Sequence, residues 1–182
     1  DDTRVAFSAS GESNLNVYEI PALGGPPRVI KRAARNGRFS PDGRWLAYIA
    51  LEPRATLRLA PGAGGAEHTL ATDLVDISSA RWSDDSRHLL VVAHPNPSVD
   101  LDCWGVPVDG GTPVDTGVLR RGRQQGLIVI TMPPAWAGDS TFYSAAGRQG
   151  LNVWRQRVSP TLESIGAPEL MTPGGDWAFF PT

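Results

Sequence analysis

This 182-residue chain has one cysteine, one lysine and no long apolar run. Cys103 stands alone, so neither an intrachain disulfide nor a cysteine zinc site is available to it. A buried, inert thiol is expected there. No stretch approaches the roughly 18 apolar residues of a membrane span, and no charged-then-apolar leader opens the sequence. Net charge is small too. Seventeen basic residues against 19 acidic ones leave −2, which makes no electrostatic case for nucleic acid or an anionic membrane. Helix signal is missing, because 20 Gly and 16 Pro together form about a fifth of the chain. Each interior Pro costs a helix about 3 kcal/mol and each Gly about 1 kcal/mol, which excludes a helix bundle. A hydrophobic content of 41% excludes a wholly disordered chain. A chain this long buries roughly 70% of its unfolded surface and needs no metal or disulfide staple.

What is present is a repeat. Arg38-Phe39-Ser40-Pro41-Asp42-Gly43-Arg44-Trp45-Leu46-Ala47-Tyr48 aligns with Arg81-Trp82-Ser83-Asp84-Asp85-Ser86-Arg87-His88-Leu89-Leu90-Val91. Both align with Ala135-Trp136-Ala137-Gly138-Asp139-Ser140-Thr141-Phe142-Tyr143. Each copy has an aromatic residue, a turn-forming cluster and an apolar run, which reads as strand, tight turn, strand. Asp42, Asp85 and Asp139 recur as turn residues, since Asp accepts hydrogen bonds from turn backbone. A second marker is Pro-x-x-Gly-Gly at 21–25, 61–65 and 107–111, closing short strands at 14–20, 56–60 and 101–106. The fourth such strand, 151–158, ends in Ser159-Pro160 instead. A short outer strand follows each time, at 28–30, 67–70, 113–116 and 169–171. Four strands joined by turns make one propeller blade.

The aromatic positions Phe39, Trp82, Trp136 and Phe180 are separated by 43, 54 and 44 residues. Blades of this class run about 40–45 residues. The long interval marks an insertion at 119–132, inside which 127–131 reads as an extra strand or an apolar loop. The fold expected is an all-β propeller of four four-stranded blades. One blade is shared between the termini, 1–35 with a closing strand at 176–182. The others are 36–74, 75–132 and 133–175. Three assemblies fit: a closed four-bladed monomer, a homodimer forming an eight-bladed ring, and a piece of a larger ring whose open blade edges invite association.

Phe39-Ser40-Pro41-Asp42-Gly43-Arg44-Trp45-Leu46-Ala47-Tyr48 resembles the blade signature of TolB-like propellers, and 14–21 and 151–155 look like their third strands. The resemblance covers nearly the whole chain. A narrower likeness, carried by 103–111 and 119–127, is to propeller regions beside bacterial serine/threonine kinases and winged-helix regulators. It implies a bacterial source and the propeller fold, but little about function. The same blades sit in the periplasmic TolB protein and in prolyl-oligopeptidase-type peptidases. Asp84-Asp85-Ser86 and Gly138-Asp139-Ser140 depart from the Pro-Asp-Gly turn. Four visible blades also depart from the usual six or more.

No Gly-x-Ser-x-Gly elbow and no phosphate-binding glycine loop is present. His68 and His88 have no partner at ligand spacing and read as solvated or core-edge residues. His94, Asp100 and Asp102 form one loose cluster that would suit a divalent cation, or else a solvated loop whose acids cap turns. Trp45, Trp82, Trp136 and Trp177 fall at or beside the repeating strand positions and read as packing between blades. Arg120, Arg121 and Arg123, with Gln124, interrupt the repeat and concentrate guanidiniums where insertions tend to bind. They read either as a ligand or partner contact, with Trp104 nearby, or as arginines paired internally to Asp. The function expected is a non-catalytic binding or sensing module without a cofactor, for a protein, peptide or small ligand at the channel mouth. The alternative is a small metal-dependent hydrolase using His94, Asp100 and Asp102.

Overall fold

Short β-branched and aromatic runs between Asp, Gly and Pro turns favour antiparallel strands. The computed structural model describes residues 3–11, 14–71, 73–130, 134–148 and 150–172 as four successive antiparallel sheets with one helix. The first sheet holds β1 (Arg4–Ser10), β2 (Leu15–Pro21) and β3 (Arg28–Lys31). The second holds β4 (Ala34–Phe39), β5 (Trp45–Ala50), β6 (Thr56–Pro61) and β7 (His68–Leu70). The third holds β8 (Val75–Trp82), β9 (His88–His94), β10 (Asp102–Pro107) and β11 (Val114–Asp115). Helix α1 (Val118–Gln124) follows. The fourth sheet holds β12 (Ile128–Val129), β13 (Ala135–Ala137), β14 (Ser140–Gly147), β15 (Gly150–Val158) and β16 (Ser164–Leu170).

Each sheet meets its neighbours face to face, and the period of two along a strand divides its side chains between two cores. On β9, Leu89, Val91 and Ala93 join a core with Ile49, Leu57 and Leu59 of the second sheet. The alternate residues Leu90 and Val92 join a different core, with Tyr143 and Ala145 of the fourth. On β5, Ala47 and Ile49 face the third sheet while Leu46 and Tyr48 pack toward Val17 of the first. Burial on both faces is why these middle strands read as continuous apolar runs. Sheets pack in chain order, first on second, second on third, third on fourth. No comparable packing joins the fourth to the first among the described residues. The expected closing strand, 176–182, lies outside the described residues, so β1 forms the edge of a three-stranded sheet among them.

The repeated turns share a chemistry finer than the Asp alone. Ser40 Oγ donates to Asp42 Oδ1 at 2.6 Å and accepts from the Trp45 amide at 3.0 Å, while the Arg44 amide donates to Asp42 Oδ1 at 3.1 Å. The third sheet repeats the network: Ser83 Oγ to Asp85 Oδ1 at 2.6 Å, His88 amide to Ser83 Oγ at 3.0 Å, Arg87 amide to Asp85 Oδ1 at 3.0 Å. The fourth sheet has Ala137 where the serine stands, and its hairpin is tighter, with Ala137 paired to Ser140. Asp139 there takes only the Ser140 hydroxyl, at 2.8 Å. The departures from Pro-Asp-Gly have a use. Ser86 Oγ accepts the Asp42 amide of the preceding turn at 3.1 Å, and Asp84 Oδ2 accepts the Gly138 amide of the next at 3.0 Å. The three turns are thereby linked in series. At the other ends of the sheets, Gly24 donates to Pro21 and Gly64 to Pro61, each at 2.9 Å, and both glycines hold left-handed φ values of 92° and 87°.

The Ser40 hydroxyl, with the backbone and side chain of Arg44, holds the Asp42 carboxyl down at about 2, against 3.8 when unperturbed. Asp85 is lowered chiefly by Ser83 and the Arg87 amide. A folded-state pKa below the unfolded one contributes stability above the unfolded pKa and loses it as pH falls through the folded one. Stability is therefore expected to fall between about pH 4 and about pH 2 as these turns protonate. An Asp42→Asn/Asp85→Asn variant should show a flatter acid limb in urea midpoints measured from pH 5 to pH 2. An unchanged limb would remove the turns as its source.

Candidate functional site

The insertion is helical, contrary to the all-β expectation for 119–132. Seven residues with a central glycine carry too little local signal to be read as a helix. Tertiary contacts supply what the segment lacks. Gly117 starts the helix at φ 65° with no side-chain cap of its own. Asp102, far back on β10, acts as the cap instead: Oδ1 accepts the Leu119 amide at 2.8 Å and Oδ2 the Arg120 amide at 3.0 Å. Val118, Leu119 and Gly122 are buried, and a Cβ at Gly122 would stand 2.8 Å from the Tyr143 hydroxyl oxygen. Past the helix, Ile128 and Val129 pair with Ala146 and Ala145 of β14. They therefore lie on the same edge of the fourth sheet as β13, not in the third.

The three arginines of the insertion make internal bonds. Arg120 pairs with Asp115 at 2.8 Å and lies 3.7 Å from Asp102. Arg121 reaches the fourth sheet, donating to Ser164 Oγ at 3.0 Å and the Gly166 carbonyl at 3.1 Å. Arg123 donates to the Leu101 carbonyl at 2.9 Å and lies 3.8 Å from Asp102. Gln124 is exposed and borders, with Val99, Asp100 and Arg123, a shallow cavity of about 420 Å³. Trp104 is half-buried against the core between the second and third sheets, away from that cavity.

His94, Asp100 and Asp102 do not form a metal-holding group. His94 Nδ1 lies 2.6 Å from the Val99 carbonyl oxygen. Asp100 is exposed and only 3.9 Å from Arg123. Asp102 is 3% exposed, and its oxygens are taken by the amides of Cys103, Leu119 and Arg120. Burial raises its pKa, and those three amides offset part of the rise. Among the described residues no group of three His, Cys, Asp or Glu side chains is placed to hold a metal ion. Cys103 is fully buried, and burial pushes its thiol up. His68 packs edge-on against Trp45, ring centroids 5.8 Å apart.

A second cleft lies where β1, β4 and β8 run side by side, with a cavity of about 350 Å³. Arg38 and Arg81 stand at equal positions on successive strands, each one residue before the aromatic that enters a core. The Trp82 indole N–H donates to the Arg38 carbonyl at 3.0 Å and ties the two strands at that level. The Arg4 guanidinium lies over the Phe39 ring, 4.1 Å from its centre, donates to the Gly62 carbonyl at 2.9 Å and lies 3.8 Å from Glu19. Among the described residues no carboxylate comes within ion-pair distance of Arg38 or Arg81. Partial burial lowers the pKa of both, Arg81 to about 10, with the Arg38 charge pushing it the same way. Sequence reasoning passed over this pair, although an arginine opens both of the first two repeat copies.

No protein-family model matches the sequence, and no curated protein matches it either. Solved structures do match. TolB from Acinetobacter baumannii superposes with a TM-score of 0.70 at 12% identity, over 89% of this chain and 39% of that one. A putative TolB from Agrobacterium tumefaciens gives 0.66 at 18% identity, over 92% and 60%. The β-propeller domain of the trilobed protease from Pyrococcus furiosus, described as having an open velcro topology, gives 0.56 at 14%, over 93% and 53%. The chain thus spans between 39% and 60% of the lengths of these proteins. At such identities the likeness speaks for architecture alone, and on it, with four antiparallel sheets stacked in order, this chain has the fold of the TolB-like β-propellers.

Proposed function

We propose that the chain is a non-catalytic binding module, an arc of propeller blades that presents the cleft between its first strands to a ligand. One observation carries this reading: Arg38 and Arg81, which have no carboxylate within ion-pair distance among the described residues, both line a concave site on the strands β1, β4 and β8. Arg81 is half-buried and Arg38 exposed, and like charges gathered at a concave place commonly mark a binding site. The insertion carries less, because its guanidiniums bond to the third and fourth sheets. An Arg120→Ala/Arg121→Ala/Arg123→Ala variant should then lose stability more than ligand affinity. Binding lost in that variant while its melting temperature is unchanged would move the contact to the insertion. Ester and amide substrates should show no turnover, with or without added divalent metal; turnover would overturn the non-catalytic reading.

Among the described residues β1 is an edge strand, and an unpaired edge invites pairing. Light scattering on this 19.5 kDa chain decides how. A dimer mass is the result expected if a second copy completes an eight-bladed ring. A monomer mass leaves closure to the chain's own 176–182 segment or to further blades.

A further inference from the structure

The cleft's chemistry is specific enough to say what it takes. We propose that Arg38 and Arg81 together bind an oxyanion, a carboxylate or phosphate group on a small ligand, in the cleft between β1, β4 and β8. This rests on the reading of that cleft as the binding site. Three structural facts support it.

The first is placement. Arg38 pairs across to Ala47 and Arg81 to Leu90, each at the last but one position of its strand. The bond from Trp82 to the Arg38 carbonyl holds the strands together at this level, and both arginines border the same 350 Å³ space. That volume suits a small ligand or the end of a peptide, near the lower limit of ordinary ligand sites. The second is charge. Among the described residues some arginines pair with acids, as Arg28 does with Glu19 at 3.1 Å and Arg120 with Asp115 at 2.8 Å, and others, such as Arg35 and Arg54, do not; Arg38 and Arg81 are set apart by bordering one cavity together. Among the described residues no carboxylate is within ion-pair distance of Arg38 or Arg81, Arg81 donates to the Ala80 carbonyl at 3.3 Å, and the two like charges repel. An anion between them would relieve that repulsion and accept charge-assisted hydrogen bonds from both forks. The third is the wall. Arg4, over the Phe39 ring and 3.8 Å from Glu19, borders the same space, as do Phe39 and Trp82.

The test follows backbone amide signals of Arg81, Trp82, Val5 and Ala6 by NMR at constant ionic strength. Inorganic phosphate, succinate and an uncharged capped tripeptide are titrated separately. Saturable shifts at these amides are expected with phosphate or succinate, and the tighter of the two names the group. Arg38→Gln and Arg81→Gln should each weaken binding about tenfold or more, as loss of a hydrogen bond to a charged group does. Arg54→Gln, an exposed cation elsewhere, should leave it unchanged. Without ligand, Arg81→Gln should melt no lower than the wild type, because it removes a repulsion.

Equal weakening by Arg54→Gln would reduce the effect to surface charge and overturn the proposal. A fall in the melting temperature of both unliganded variants would mark the arginines as supports of the fold and overturn it too. If only the uncharged tripeptide moves these amides, the cleft stands as a binding site and the oxyanion chemistry falls. If none of the three probes does, both readings fall.

Discussion

Asp102→Ala should lower the unfolding free energy by about 3 kcal/mol, the scale for removing one partner from a buried charge cluster. The carboxylate does several jobs at one point in the fold. It caps α1 through the Leu119 and Arg120 amides, takes the Cys103 amide at 2.7 Å, and lies 3.7 Å and 3.8 Å from the Arg120 and Arg123 guanidiniums. Alanine leaves three amide donors to find other partners, and an unsatisfied buried donor costs about 1–3 kcal/mol. For a domain of this size the midpoint should drop by about 6–12 °C. Asp102→Asn separates shape from charge. Burial raises the pKa of this carboxyl, so ionisation already carries a cost that asparagine avoids. Asparagine also keeps one acceptor for the helix amides. Its loss should be well under that of alanine. Urea unfolding of both variants checks this, and equal losses would mean that charge, not capping, is what Asp102 contributes.

Gly37→Ala should be the most damaging small substitution between the first and second sheets. A Cβ at Gly37 would stand 2.1 Å from Val17 Cγ1, 2.9 Å from Cγ2 and 3.1 Å from Cβ. Val17 is fully buried and β-branched, so it has no free rotamer to move into. Either the sheets part or the strand bends, and overpacking of this kind costs about 1–3 kcal/mol. The companion Val17→Ala loses a buried side chain and is destabilising alone. Together the two should be less harmful than their separate losses imply, because the truncated valine makes room for the new methyl. A double-mutant cycle in urea measures that coupling. Simple additivity would show that the clash is relieved elsewhere. Gly105→Ala is a useful contrast: its nearest neighbour, at 2.4 Å, is the terminal Cδ1 of Leu162, part of a longer and more flexible side chain. A smaller loss is expected there.

The strands were legible because their signals are local. Pro-x-x-Gly-Gly closes β2, β6 and β10 through bonds between residues three apart, and Ser-x-Asp shapes the turns before β5 and β9 within six residues. Helix α1 was not legible, because its cap comes from Asp102 and its buried face from Tyr143, both distant in sequence. The candidate sites divided in the same way. His94, Asp100 and Asp102 are close in sequence, which suggested a cluster. In the fold each is engaged elsewhere, His94 with the Val99 carbonyl, Asp100 beside Arg123 and Asp102 with backbone amides. Arg120, Arg121 and Arg123 are equally close, and their helix ties them to the third and fourth sheets, Arg120 and Arg123 both beside Asp102 and Arg121 on Ser164 and Gly166.

Arg38 and Arg81 show the reverse case. They are 43 residues apart in the chain, one repeat period, and meet only because successive first strands stand side by side.

What the sequence determined by itself was the unit. Turn residues and strand periodicity act over a few residues, so the successive antiparallel strands and their order follow from local chemistry, while the sheets hold three, four, four and five strands among the described residues. What the tertiary structure decided was everything that depends on stacking those sheets: which face of β5 or β9 enters which core, why the insertion coils, and which charges are left without a partner. Stacking brings together residues a full repeat apart, and no local pattern encodes whether two such positions will face an acid, an amide or each other.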